Sequence, residues 1–138
     1  MPITTAVCKS FTRELFDSTV GHDETDTYKV ALIKPGASGT FDGNTTNYSA
    51  LGTDEVASGS GYATGGATLG GITPGASGYV SIDWSDAVWA TASFSAAGAL
   101  IYNASKSNRA VCVLSFGGTY TGTGGNFTVP MATPVSSS

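Results

Sequence analysis

Apolar and polar residues alternate along much of the second half of the chain. In YVSIDW (79–84), Val80, Ile82 and Trp84 fall on one face, which is the two-residue period of a β-strand. In RAVCVLSF (109–116), apolar residues occupy both faces. A strand with two apolar faces is covered on both sides, so this segment predicts a central strand of a sheet.

Turn signals separate further strands. The polar residues 103–108 divide two apolar runs and predict a hairpin whose turn lies at these positions. An earlier strand is predicted over residues 28–34 and ends before Pro35, because proline cannot donate a hydrogen bond to a sheet. A last short strand is predicted over residues 126–131.

The N-terminal segment has a longer apolar period. Apolar residues recur at every fourth position, which places them on one face of a helix. They are Val7, Phe11 and Leu15. The pattern predicts one helix over about residues 4–18, with Thr4 or Thr5 as its N-cap and Cys8 at the edge of the buried face.

Together these elements predict an all-β fold class. The chain has 138 residues, of which 41% are hydrophobic and 12% charged, and it contains 19 glycines. This composition is typical of a folded domain with short strands and frequent turns. We expect an antiparallel β-sandwich or jelly-roll-like domain over residues 1–131 with one N-terminal α-helix, followed by a flexible C-terminal tail over residues 132–138.

The charge balance argues against two classes of partner. The net charge is −4, and the six basic residues are scattered, so no basic stripe is available for nucleic acid. No apolar stretch approaches the roughly 18 residues that span a membrane. A surface with few charges can dock on another protein without removing water from many ions, which favours a protein partner.

Reactive side chains are sparse. His22 is the one histidine and lies in GHDETD (21–26), where a solvated loop residue is a better interpretation than a general base. Neither this acidic group nor the pair Asp83 and Asp86 has the alternating spacing of a calcium loop. We therefore expect no enzyme activity, no cofactor and no metal site.

The two cysteines, Cys8 and Cys112, are widely separated in the sequence. Neither has the spacing of a metal ligand. Two reduced and buried thiols are the favoured interpretation, and a disulfide that ties the N-terminal segment to the sheet is the alternative.

Two polar features are candidates for contact with a partner protein. The hairpin turn carries two of the six cations, and the glycine-rich GSGYATGG (59–66) allows another chain to approach closely. The candidate residues are Asn103, Lys106, Asn108, Arg109, Gly61 and Tyr62. Trp84 and Trp89 offer a stacking platform for a sugar as an alternative, although the alternation around Trp84 favours core packing there.

Several short motifs occur in a particular order along residues 1 to about 131. They are MPITTAVCKSFTRELF, YKVALIK, GSGYATGG, GALIYN, RAVCVLSFGG and FTV. No single motif is specific. In this order the set resembles a family of small structural proteins of tailed bacteriophages, whose members are virion components associated with the capsid or with the tail.

The resemblance implies a virion structural protein that is assembled in the cytoplasm of the host bacterium. We expect a capsid decoration (cement) protein that binds the major capsid protein and self-associates as a homotrimer. The alternative is a tail- or fibre-associated structural protein, with receptor or glycan contact as one version of that role. An enzyme is a third hypothesis, which the sparse reactive side chains disfavour.

Overall fold

A computed structural model describes residues 3–4, 6–14, 26–69, 73–74, 80–83, 87–129 and 135–137. These residues form ten β-strands and one short α-helix, α1 (Lys9–Glu14). The strands are β1 (Ala6–Val7), β2 (Tyr28–Ile33), β3 (Ala67–Thr68), β4 (Thr73–Pro74), β5 (Val80–Asp83), β6 (Ala87–Ala92), β7 (Ser95–Asn103), β8 (Arg109–Thr121), β9 (Gly125–Val129) and β10 (Val135–Ser137). An all-β fold with one N-terminal helix is therefore confirmed.

The described strands pair into three antiparallel sheets. Five strands pair in the order β1-β8-β7-β2-β3, three in the order β10-β5-β4, and β6 pairs with β9. Two short 3-10 helices, Tyr48–Ala50 and Gly52–Asp54, lie between β2 and β3. The jelly-roll arrangement stays a prediction, because this pairing order does not by itself establish it.

Strands β7 and β8 form the long central hairpin of the five-stranded sheet. Residues 98–103 of β7 and 110–113 of β8 are buried on both faces, which confirms the central strand predicted from the two apolar faces. Further from the turn, residues 116–119 of β8 stand opposite the single residue Ala97 of β7. Beyond this bulge, the far end of β8 is exposed.

The outer edge of β2 is covered by several short segments. β3 pairs with it near Val30, and the N–H of Val56 donates to the C=O of Leu32 at 2.9 Å. Between these contacts, the Tyr62 hydroxyl accepts a hydrogen bond from the Leu32 N–H at 3.1 Å. Gly66 has a φ of 82°, and a Cβ there would lie only 1.8 Å from the Val30 oxygen, so this close approach requires glycine. The covered edge is closed to pairing with another chain.

The predicted start of the N-terminal helix is wrong. Val7 lies opposite Cys112 in the pairing of β1 with β8, and the Cys8 N–H donates to the Val111 C=O at 2.9 Å. Since these backbone groups bond to the sheet, they are not available for a helix. The helix consequently begins at Lys9, so neither threonine near residue 4 is its N-cap.

Two residues assigned to the buried face of that helix are in the core. Phe11 and Cys8 are both buried, and Cys8 lies in the interior rather than at the edge of the contact. Leu15 and the predicted end of the helix near residue 18 lie outside the described residues.

The C-terminal segment contains a strand where a flexible tail was predicted. β10 pairs with β5, with Val135 opposite Ile82 and Ser137 opposite Val80. Sheet pairing uses backbone N–H and C=O groups, so the short polar sequence VSS joins a sheet without an apolar face of its own. The strand predicted just before this segment is confirmed as β9.

Candidate functional site

The turn of the β7–β8 hairpin (residues 103–109, here the hairpin tip) directs polar groups into the protein. Asn103 is fully buried, and its Nδ2 donates to Oδ2 of Asp26 at 2.8 Å. Lys106 Nζ lies 3.3 Å from Oδ1 of the same Asp26. Asn103 was predicted to contact a partner, but it is fully buried, and its hydrogen bond to Asp26 ties the turn to the segment before β2 instead.

The second cation of the hairpin tip is also paired within the chain. Nη1 of Arg109 lies 3.0 Å from Oε2 of Glu14 at the end of α1. Asn108 is exposed, with a φ of 61°, and its C=O accepts a hydrogen bond from the Tyr48 N–H at 2.9 Å. Because Lys106 and Arg109 are both paired with acids, the hairpin tip presents little net charge to a partner.

The two candidate residues of the glycine-rich bend lie in different environments. Gly61 is exposed with a φ of 97°, and a Cβ there would lie 2.9 Å from the Thr91 oxygen. The close approach that its glycine permits is therefore to β6 of the same chain. Tyr62 is buried, which removes it from an outer contact surface and corrects the prediction made for it.

A glutamate that precedes the glycine-rich bend belongs to a hydrogen-bonded group with three tyrosines. Oε2 of Glu55 accepts hydrogen bonds from the Tyr62 hydroxyl at 2.5 Å and from the Gly65 N–H at 2.7 Å, and Oε1 accepts from the Tyr48 hydroxyl at 2.5 Å. The Tyr102 hydroxyl donates to the Gly65 C=O at 2.6 Å. We call these five residues the Glu55 cluster, and they connect β7 to the loop that covers β2.

The Glu55 cluster makes its tyrosines weaker acids. Burial raises the pKa of Tyr62, and its hydrogen bond to Glu55 raises it further. Burial and the same carboxylate raise the pKa of Tyr48, whose ring stacks on Tyr102 with centroids 4.5 Å apart. Burial, followed by the negative charge of Glu55, raises the pKa of Tyr102 to about 12. Neutral hydroxyls that donate to a carboxylate are suited to fixing a loop in place.

Sequence reasoning missed Glu55 as an organising residue. It is the one charged residue in the segment 55–66, so an acid beside a tyrosine-containing glycine-rich bend was the available signal. Nothing in the linear spacing indicated that Tyr102, on a distant strand, completes the cluster.

A second carboxylate fixes the loop that follows β2. Oδ1 of Asp54 accepts from the Ser38 N–H at 3.0 Å, and Oδ2 accepts from the Gly39 N–H at 2.8 Å. The hydrogen bond from the Ser38 N–H is the main cause that lowers the pKa of Asp54, with further lowering by Gly39 and by the charge of Lys34. Like Glu55, this acid stabilises a loop of its own chain.

The opposite end of the β7–β8 hairpin has a different chemistry. It consists of β6, β9 and the adjoining parts of β7 and β8 (residues 87–97 and 115–129), and we call it the uncharged end. Neither segment contains Asp, Glu, Lys, Arg or His. The two segments are joined by hydrogen bonds from the Gly122 N–H to the Phe94 C=O at 2.8 Å and from the Gly124 N–H to the Ala92 C=O at 2.7 Å.

Aromatic rings fill the uncharged end and reach its surface. Phe127 lies in ring contact with Trp89, Phe94 and Phe116, with centroids 5.0 to 6.3 Å apart. Trp89 is buried among these rings, which argues against the alternative in which it forms a sugar-stacking platform. Tyr120 packs edge-on against Phe116, with centroids 6.0 Å apart, and is 56% exposed.

The cysteines are free and buried, as the favoured interpretation predicted. Burial raises the pKa of Cys8 to about 12, with smaller contributions from Asp42 and Glu14. Burial also raises the pKa of Cys112, to which the nearby Cys8 contributes. Both thiols therefore stay protonated near neutral pH, and a protonated thiol is a poor nucleophile and metal ligand.

The remaining candidate residues for metal binding or catalysis are not brought together in the part of the chain that the structure describes. Within the described ranges, no group of three His, Cys, Asp or Glu side chains is placed to hold a metal ion. No helix in that part of the chain is long and apolar enough to cross a membrane. His22 and Trp84 lie outside the described residues, as do the acids Asp23, Glu24 and Asp86.

Comparison of the chain with protein-family models, with curated proteins and with solved structures found no match. The hairpin tip, the Glu55 cluster and the uncharged end are therefore interpreted from their own chemistry.

Proposed function

We propose that this protein is a structural component of a bacteriophage virion. Its most concrete role is that of a capsid decoration (cement) protein, which binds the assembled capsid shell and stabilises it. The ordered motifs that resemble small phage structural proteins supply the virion setting. The observation that carries an assembly role is the uncharged end, where an exposed tyrosine stands in segments that contain no charged residue.

An uncharged surface is suited to protein–protein contact for a physical reason. Burying an ion without a partner costs several kcal/mol, so interface centres are depleted of charged residues and enriched in tyrosine and other aromatic residues. The two cations beyond residue 86 are Lys106 and Arg109, and both are already paired with acids of the same chain. A partner that docks on the uncharged end consequently meets no unpaired charge from these strands.

The partner in this proposal is the major capsid protein, and the protein self-associates on the shell, most simply as a homotrimer. A protein that binds the assembled shell and not its separated subunits stabilises the shell by mass action. The protein would be made in the host bacterial cytoplasm and end in the virion.

Copy number in the purified particle tests the proposal. We expect hundreds of copies per particle, in a fixed ratio to the major capsid protein, measured by quantitative mass spectrometry. A handful of copies would instead place the protein on the tail, and absence from the particle would overturn the virion role.

Shell stability gives a second test. Particles that lack the protein should release their genome at lower temperature, and added purified protein should restore the original temperature. Unchanged release after saturating addition would contradict a cement role.

A further inference from the structure

We infer that Lys106 and Asn103 of the hairpin tip become joined by an amide bond between Nζ of Lys106 and Cγ of Asn103, and that Asp26 moves the protons in this reaction. The inference goes beyond the proposed function and does not depend on it. It rests on an amine, a side-chain amide, a carboxylate and a backbone N–H that the fold places together at the hairpin tip.

A single carboxylate contacts both the amine and the amide. Oδ1 of Asp26 lies 3.3 Å from Nζ of Lys106, and Oδ2 accepts a hydrogen bond from Nδ2 of Asn103 at 2.8 Å. The shared partner therefore holds the amine near the amide nitrogen that it would replace. Groups held together in this way react as parts of one site, without the entropy cost of bringing two molecules together.

Burial makes this contact different from an ion pair on the surface. Asn103 is fully buried, and the side chains of Asp26 and Lys106 are 8% and 28% exposed. An ion pair that has lost much of its water is less favoured over the neutral pair, which forms when the proton moves from the ammonium to the carboxylate. The neutral amine formed by this transfer is the nucleophile.

The amide of Asn103 is placed for attack by a hydrogen bond on its oxygen. The backbone N–H of Ser105 donates to Oδ1 of Asn103 at 3.0 Å. Negative charge develops on this oxygen when an amine adds to Cγ, and a donor that is already in place stabilises it. The amide nitrogen faces Asp26 at the same time, so the leaving group lies next to the acid that protonates it.

The reaction exchanges one amide for another. The amine of Lys106 adds to Cγ of Asn103, and the Cγ–Nζ bond forms. Asp26 passes a proton from the added nitrogen to Nδ2, the Cγ–Nδ2 bond breaks, and ammonia leaves. The proton that Asp26 first took from the ammonium leaves with the ammonia as an ammonium ion. No oxidant or other reactant is consumed, because the products are a secondary amide and ammonium.

A second contact between a lysine and an asparagine provides an internal control. Nζ of Lys9 donates to Oδ1 of Asn44 at 3.1 Å, and both residues are exposed. A solvated lysine keeps its proton at neutral pH and is then no nucleophile. We therefore expect no bond between Lys9 and Asn44.

Mass spectrometry of the purified protein tests the inference. We expect the fragment that contains residues 103–109 to be lighter than its sequence by one ammonia in most molecules, with residues 103 and 106 joined in its fragmentation spectrum. Lys106→Arg keeps a positive charge beside Asp26 but removes the amine, so this variant should have the full mass. The matched control Lys9→Arg should keep the loss. Wild-type protein of full mass overturns the inference.

The Lys106→Arg variant also excludes another source of the same mass loss. An asparagine loses ammonia when the next backbone nitrogen attacks Cγ and closes a cyclic imide, a reaction that does not use Lys106. Loss of ammonia that persists in Lys106→Arg therefore overturns the inference. Isoelectric focusing gives an independent measurement, because the bond removes the charge of Lys106. Wild-type protein should focus at a lower pH than Lys106→Arg, and equal values would contradict the bond.

The role of Asp26 has its own test. Asp26→Asn keeps the size of the side chain but cannot accept a proton, so the bond should form at least about 100-fold more slowly in freshly synthesised protein. Circular dichroism melting shows whether this variant is folded. A folded Asp26→Asn variant that forms the bond as fast as wild type overturns the role of Asp26. If that variant does not fold, the comparison of wild type with Lys106→Arg still decides whether the bond exists.

Discussion

The two ends of the β7–β8 hairpin differ in the chemistry of their side chains: one end carries ion pairs, and the other has no charged residue. At the hairpin tip, every charged side chain is paired with an acid of another segment, and Asn103 is buried beneath them. At the uncharged end there is no charge to pair, and an aromatic ring is left exposed. In the hairpin the polar turn is therefore bonded to other segments of the same chain, whereas the uncharged end leaves an aromatic ring exposed.

The aromatic support beneath the uncharged end should give the largest effect on stability. Phe127→Ala removes a buried ring that contacts three others, and we expect the free energy of unfolding to fall by about 3–5 kcal/mol. Urea unfolding followed by tryptophan fluorescence measures it. Phe127→Leu, which keeps most of the volume, should cost less than about 1.5 kcal/mol. Equal costs for the two variants would show that cavity formation is not the cause.

Charge reversal at the hairpin tip should have an intermediate effect. Lys106→Glu combined with Arg109→Glu places acids against Asp26 and Glu14, so the free energy of unfolding should fall by about 1–2 kcal/mol, given the partial exposure of both pairs. The same urea titration measures the loss.

A matched control for that reversal is available on α1. Lys9→Glu combined with Arg13→Glu changes the net charge equally at two exposed residues, and should cost less than about 0.5 kcal/mol. If the two double variants have the same free energy of unfolding, the ion pairs of the hairpin tip do not stabilise the fold.

Alkaline pH tests the Glu55 cluster, which lies between the compared ends. The folded pKa of Tyr102 is raised from 10.0 to about 12, so its contribution to stability is fully present below pH 10 and is lost as the pH rises toward 12. We expect the melting temperature to fall over that interval. Tyr102→Phe has no hydroxyl to titrate and should show a shallower fall. Identical pH profiles would contradict the assignment.

The smallest stability effect is expected at the exposed ring of Tyr120. Tyr120→Ser exchanges an exposed ring, so the free energy of unfolding should change by less than about 0.5 kcal/mol. Comparison of its melting curve with that of wild-type monomer checks this. A loss above about 1 kcal/mol would show that the ring is a structural part of the aromatic cluster.

Periodicity located the regular elements well because side-chain direction in a strand depends on sequence neighbours alone. The two-residue alternation placed β8, and the polar insert placed the turn between β7 and β8. Periodicity misplaced the start of the N-terminal helix. Residues four positions apart lie on the same face of a helix, but they also lie on the same face of a strand, so this spacing does not distinguish the two. Residues 6 and 7 form a strand rather than the first turn of the helix because they pair with β8.

The sequence by itself determined the all-β class, the positions of the main strands, the absence of charge after Arg109 and the sparse reactive chemistry. Only the tertiary structure decided which polar residues are available. Arg109 pairs with Glu14, and Lys106 pairs with Asp26. Tyr102 donates a hydrogen bond to Gly65 of the Glu55 cluster. These partners are too far apart in the sequence for a local pattern to predict the contacts. The physical reason is that a charge is neutralised by whatever group lies within a few ångströms in space, and chain folding, not sequence spacing, sets that distance.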